Sequence, residues 1–144
     1  MEDTFTVDEH ALGGKNCTFV GVFDGHGGDE SSTFLKYNLH ATFVETCGHD
    51  CADVSRALFK GFQKCERELL RNSQDGGWLG GSTAICSLIC GEKLFVANVG
   101  DSRAVLSSNG FVIPLSIDHK PSNDEEKARI ESSGGRVVHV FGTW

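Results

Sequence analysis

Phe19-Val20-Gly21-Val22-Phe23-Asp24-Gly25-His26-Gly27-Gly28 is an apolar run that stops at a carboxylate, a histidine and three glycines. Phe19 to Phe23 are apolar or glycine, rich in aromatic and β-branched side chains, and predict a strand buried on both faces. The chain must then turn. Glycine tolerates positive φ and close backbone approach, so Gly25, Gly27 and Gly28 around His26 make a loop whose amides and carbonyls can face a ligand, with Asp24 at its mouth. The same residues also describe a strand ending in a tight turn, with Asp24 an ordinary turn residue and His26 exposed. The flanking sequence bears on that choice.

Downstream, Phe34, Leu35, Leu39, Phe43 and Val44 recur at helical spacing up to Gly48. Asp53 can cap a second helix whose face carries Val54, Leu58, Phe62, Cys65 and Leu69, until Gln74-Asp75-Gly76-Gly77 breaks it. Such a face needs a sheet to pack on. Ser82 to Cys90 reads as a strand, Gly91-Glu92 as a two-residue turn and Lys93 to Val99 as the return strand. Asp101-Ser102-Arg103 interrupts the run, and Ala104 to Leu106 continues to a turn at Ser108-Asn109-Gly110. Phe111 to Leu115 follows, with Pro114 placing it at an edge or strand end because proline donates no ladder bond. Ser122 and Glu125 have capping-box spacing before a short helix with Ala128 and Ile130 that ends at Gly134-Gly135, and Val137, Val138 and Val140 predict a last strand. This order predicts an α+β fold, with helices outside antiparallel sheets.

Composition narrows the function. The chain has 144 residues, one domain's worth, with 39% hydrophobic and 23% charged residues, as in ordinary soluble domains. A net charge of -7 argues against binding nucleic acid or an anionic membrane surface. If the ligand is a phosphate, bound cations must attract it. No apolar stretch is long enough to span a bilayer and Met1-Glu2-Asp3 is not a basic leader, so an intracellular protein, cytoplasmic or nuclear, is expected. The six cysteines are read as reduced, mostly core residues. Cys47-Gly48-His49-Asp50-Cys51 looks like a metal tract but lacks a second ligand pair at zinc-site spacing.

Acidic residues gather where strands end: Glu2 and Asp3, Asp24, and Asp101. Such carboxylates suit hard divalent cations, which take oxygen ligands, and equally suit strand ends that simply face water.

In order and spacing, several motifs together resemble the metal-dependent type 2C protein phosphatases. They are Met1-Glu2-Asp3, Val22 to Gly28, Gly81-Ser82-Thr83-Ala84, Ala97 to Ala104 and Asp118-His119-Lys120-Pro121, followed by Glu126, Arg129-Ile130 and Gly134-Gly135. The resemblance implies a β-sandwich of two antiparallel sheets flanked by α-helices. It also implies a site with two Mg²⁺ or Mn²⁺ ions that hydrolyses phosphoserine and phosphothreonine in proteins, and a monomer when complete. Asp24 resembles the carboxylate bridging both metals, and Gly25 the residue offering its carbonyl. Glu2 resembles a further ligand, Asp3 its neighbour, and Asp101 the holder of a third, weaker metal, or else a turn aspartate paired with Arg103. His26 resembles the general acid that protonates the leaving alkoxide, or fixes the loop by a hydrogen bond. His119 with Asp118 resembles a structural tie, and Gly81 to Ala84 a close-packed strand. The family's phosphate-binding arginine falls three residues before Met1, and its later Arg-Val-x-Gly stretch and two aspartate motifs fall beyond Trp144. Residues 1–144 are therefore expected to be roughly the N-terminal half of such a domain. An impaired phosphatase-like binding module is the alternative from another class.

Overall fold

The computed structural model describes residues 1–12, 17–48 and 53–138. Strands β1 (Thr4–Asp8), β2 (Cys17–Phe23), β5 (Ala84–Cys90) and β6 (Lys93–Val99) form one antiparallel sheet in the order β1-β2-β5-β6. Two short antiparallel pairs accompany it: β3 (Gly25–His26) with β4 (Gly81–Ser82), and β7 (Val105–Ser108) with β8 (Phe111–Pro114). The helices are α1 (Glu30–Cys47), α2 (Val54–Gly76) and α3 (Asp124–Ser132). The fold is α+β with antiparallel sheets and helices, as the sequence predicts. Among the described residues, no helix is long and apolar enough to cross a membrane.

Strand alternation decides what the main sheet buries. In β2, Phe19, Gly21 and Phe23 point at the helices, with both phenylalanines fully buried, and the register sets Leu88 opposite Phe19 and Cys86 opposite Gly21. Leu35, Leu39 and Phe43 of α1 and Leu58 and Cys65 of α2 close over this face. Phe19 stacks on Phe43 with ring centroids 6.1 Å apart. Burying each such phenylalanine contributes about 1.5–3 kcal/mol relative to leaving it in water. Gly61 lets the helices meet: a Cβ there would fall 3.2 Å from the Phe43 Cα. Asp53 caps α2 by accepting from the Arg56 amide, and Gly77 ends it at φ +68°.

The opposite face corrects one expectation. The strand Phe19–Phe23 is covered on one side only: across the sheet Phe5, Val7 and Val22 are 66%, 54% and 45% exposed. No described element packs on these residues, so Val22 lies beside water while its neighbour Phe23 is buried.

Other local expectations also shift. β1 is a strand that the apolar-run reading passes over, because Thr4, Thr6 and Asp8 alternate with Phe5 and Val7. α3 begins after Asn123 rather than Ser122, and the Asn123 side chain makes no cap bond, its amide group donating to the Asp118 carbonyl instead. Val137 and Val138 are not in a strand, and Val140 lies outside the described residues. Cys17 and Cys90 are not reduced. They stand opposite each other in the β2–β5 register and form a disulfide. Cys47 is also disulfide-bonded, whereas Cys65 and Cys86 are free and buried. The rest of the suspected metal tract, His49 to Cys51, lies outside the described residues.

Candidate active site at the strand tips

The site lies at one end of the main sheet, where its inner strands β2 and β5 adjoin the short β3–β4 pair. β2 ends at Phe23, Asp24 follows, and Gly25–His26 pairs with Gly81–Ser82. Asp24 is exposed but its backbone is fixed. Its carbonyl accepts the Thr83 N–H at 2.9 Å, and its N–H donates to Thr83 Oγ1 at 3.3 Å. Thr83 Oγ1 lies 2.6 Å from Ser102 Oγ, which ties in the segment after β6. Gly100 makes this approach possible: at φ +101°, an added Cβ would fall 2.8 Å from the Thr83 Cγ2.

On the other side of Asp24, the β1–β2 register pairs Thr4 with Phe23, so Glu2 falls opposite Gly25 two residues further along. The contact is close enough to require glycine, since a Cβ on Gly25 would sit 2.5 Å from the Glu2 carbonyl oxygen. Glu2 is half-buried and Asp3 exposed. Among the described residues His26 makes no side-chain hydrogen bond, and its exposed ring lies over Gly81, whose Cβ would meet the ring's Nε2 at 2.8 Å. The loop-fixing hydrogen bond is therefore absent from the described residues, and the ring stands at the site's mouth.

Asp101 is exposed on the adjoining loop, 3.9 Å from Lys120 Nζ. It does not pair with Arg103. That guanidinium donates two hydrogen bonds to Asp118, at 2.8 and 2.7 Å, and the Arg103 hydrogen bonds hold the Asp118 carboxyl below the usual carboxylate range. His119 donates its N–H to the Gly100 carbonyl at 2.9 Å, while its Nδ1 accepts from the Gly100 amide at 3.4 Å. Asp118-His119 thus locks the loop after β6, a structural role.

The Glu2–Gly25 contact brings the backbone of a second carboxylate residue to the strand tip that carries Asp24, so this end of the sheet offers oxygen donors of the kind that hard divalent cations take. Among the described residues, however, no group of three His, Cys, Asp or Glu side chains is placed to hold a metal. The described part supplies an incomplete donor set.

A family profile described as protein phosphatase 2C matches residues 1–143. The chain belongs to the protein phosphatase 2C family. It is 42% identical over 146 residues to probable protein phosphatase 2C 11 of Arabidopsis thaliana, covering 100% of this chain but 38% of that protein. A protein phosphatase 2C homolog 2 of Aspergillus flavus is 42% identical over 123 residues, which is 85% of this chain and 28% of that one. Among solved structures, a C. elegans sex determining protein superposes with a TM-score of 0.87 at 30% identity, over 98% of this chain and 36% of the other. The serine-threonine phosphatase 2C from Toxoplasma gondii superposes with a TM-score of 0.78 at 27% identity, over 97% and 52%. The chain therefore spans well under half the length of the first of these phosphatase 2C relatives.

Sequence reasoning missed Thr83 and Ser102, and also Ser32 of α1, whose hydroxyl meets the Glu2 carbonyl beside Gly25. Thr83 stood inside a motif read only as close packing, and its signal is the hydroxyl: a buried threonine at a strand start needs a partner.

Proposed function

We propose that this chain is the N-terminal part of a protein serine/threonine phosphatase domain that hydrolyses phosphoserine and phosphothreonine in proteins. The observation that carries the reading is the convergence of Asp24, Gly25 and Glu2 at the strand tips, enforced by the Gly25 contact. In this reading Asp24, Glu2 and the Gly25 carbonyl hold Mg²⁺ or Mn²⁺, Asp3 stands beside them, and Asp101 contributes to a weaker further position. When bound, two such ions supply an acidified water and a clamp on the phosphoryl oxygens. The leaving alkoxide needs a proton. His26, exposed at the mouth with its ring on Gly81, carries that proton to the alkoxide oxygen as general acid. Thr83 acts through Asp24 by holding its backbone and so aiming its carboxylate, and Ser102 supports the Thr83 hydroxyl.

The same reading makes the 144 residues alone a weak catalyst, since the described residues offer no group of three ligating side chains. The test is phosphate release from a phosphothreonine peptide, with and without Mn²⁺, for a complete domain built on this sequence and for its Asp24→Asn variant. Metal-dependent turnover lost in the variant supports the reading. Turnover that ignores both the metal and the substitution refutes it.

A further inference from the structure

The segment carrying Glu2 and Asp3 lies ahead of the β1 ladder, which begins at Thr4. Something else must hold it against Gly25. Ser32 sits in the first turn of α1 with no exposure, and its Oγ contacts two carbonyl oxygens, those of Glu2 and Asp29. A hydroxyl has one proton to give. A helical serine ordinarily spends it on the carbonyl one turn back. Here the Asp29 carbonyl already accepts the Thr33 N–H at 2.9 Å, and the Ser32 contact to it is the longer of the two, at 3.1 Å. The proton therefore goes to Glu2. Ser32 Oγ also lies 2.9 Å from where a Gly25 Cβ would be, so hydroxyl, Glu2 carbonyl and Gly25 share one small space.

Two further bonds frame this one. Thr4 Oγ1 donates to the Ser32 carbonyl at 2.7 Å and Thr6 Oγ1 to the Lys36 carbonyl at 2.5 Å. Alternate strand residues rise about 6.7 Å and one helical turn about 5.4 Å, so a strand lying along a helix can repeat such bonds. The threonine bonds fasten β1 to α1, whereas the Ser32 bond reaches past β1 to the Glu2 backbone.

We propose that Ser32 is a positioning residue: its hydroxyl sets the Glu2 backbone on Gly25 and thereby places the Glu2 carboxylate beside Asp24 for a divalent cation. This rests on the metal-site reading above. Nothing in it requires Ser32 to touch the cation.

The test uses Mn²⁺ as a paramagnetic probe on the 144-residue chain, reading the broadening of backbone amide signals, which detects even weak binding at one position. In the wild type, broadening centred on Asp24 and Gly25 is expected. Ser32→Ala should need several-fold more Mn²⁺ for the same broadening and should lose amide protection at Asp3 and Thr4, and Ser32→Thr, which restores the hydroxyl, should regain part of both. Thr6→Val removes a comparable strand–helix bond without touching Glu2. It should lower the melting temperature at least as much as Ser32→Ala and leave the Mn²⁺ dependence unchanged. A wild type with no broadening at Asp24 and Gly25 overturns this inference, while the metal-site reading is decided separately by Asp24→Asn in a complete domain. Normal wild-type broadening that Ser32→Ala leaves unchanged overturns the inference alone, as does an equal Mn²⁺ shift in Thr6→Val.

Discussion

Asp24 and Thr83 exchange two hydrogen bonds: the Thr83 N–H donates to the Asp24 carbonyl at 2.9 Å, and the Asp24 N–H donates to Thr83 Oγ1 at 3.3 Å. Thr83 is 8% exposed, so the bonds sit largely out of water, and its hydroxyl also meets Ser102. Thr83→Val keeps the shape and removes the hydroxyl, leaving the Asp24 amide and the Ser102 hydroxyl unpaired. A loss of about 1–3 kcal/mol is expected, since abandoned polar groups carry their desolvation cost. Urea unfolding checks it, and Thr83→Ser should recover most of the loss.

Gly25 is held to glycine by contact rather than by dihedral, as its φ lies outside the positive range. Gly25→Ala therefore forces the Glu2 carbonyl and Ser32 hydroxyl apart, where an added Cβ would sit at 2.5 and 2.9 Å. Overpacking of this kind costs about 1–3 kcal/mol. The accompanying structural sign is displacement of the amide shifts of Glu2 and Asp3, with those of β5 and β6 unmoved. Wild-type shifts in the variant would contradict the contact.

The Asp118 carboxyl is predicted to titrate below the ordinary aspartate value of about 3.9, because Arg103 hydrogen-bonds it first and foremost, with Arg103 and Lys120 charges adding to the effect. A folded pKa lower than the unfolded one contributes stability that is complete above the unfolded pKa and is lost as pH falls through the folded value. Above pH 5 the Arg103–Asp118 tie is thus intact. Carboxyl carbon shifts followed by NMR should give a midpoint under 3.9 in the wild type and a return towards it in Arg103→Ala. Identical midpoints would remove the cause assigned here.

Cys17 and Cys90 close a loop across a sequence separation of 73. Reduction is expected to lower stability by about 2–4 kcal/mol, chiefly by freeing the unfolded chain. Alkylation of the unreduced native chain should leave Cys65 and Cys86 unlabelled. Burial, aided by Glu68 and Glu66, pushes the Cys65 thiol up to about 12, and burial likewise pushes the Cys86 thiol well above its ordinary value. Rapid labelling of either at pH 8, or no change in stability on reduction, would contradict this.

What the sequence made legible follows from periodicity. The Phe19–Phe23 run, the helical face of Leu58 and Cys65 and the hairpin at Gly91 all carry their pattern within a few residues. The site's framework does not. Ser32 meets Glu2 across 30 positions and Thr83 meets Asp24 across 59, so their roles appear only when the sheet register is known. Arg103 had a nearer aspartate in sequence, Asp101, but the loop after β8 brings Asp118 to it with bidentate geometry, which a planar guanidinium favours. The Cys17–Cys90 bond likewise depends on register: two cysteines far apart in sequence become neighbours only through antiparallel pairing of β2 with β5. The single-sided burial of β2 was hidden because an apolar strand reads alike whether or not its second face is covered.

In the reading proposed above, Asp24 anchors a divalent-cation site at the strand tips. Calorimetric titration of Mn²⁺ into a complete domain built on this sequence, beside its Asp24→Asn variant, decides whether it does. The substitution removes one negative charge while leaving the backbone bonds to Thr83 available, so the variant should fold and lose most of its Mn²⁺ binding. Equal Mn²⁺ affinity and stoichiometry in the two proteins would contradict the claim.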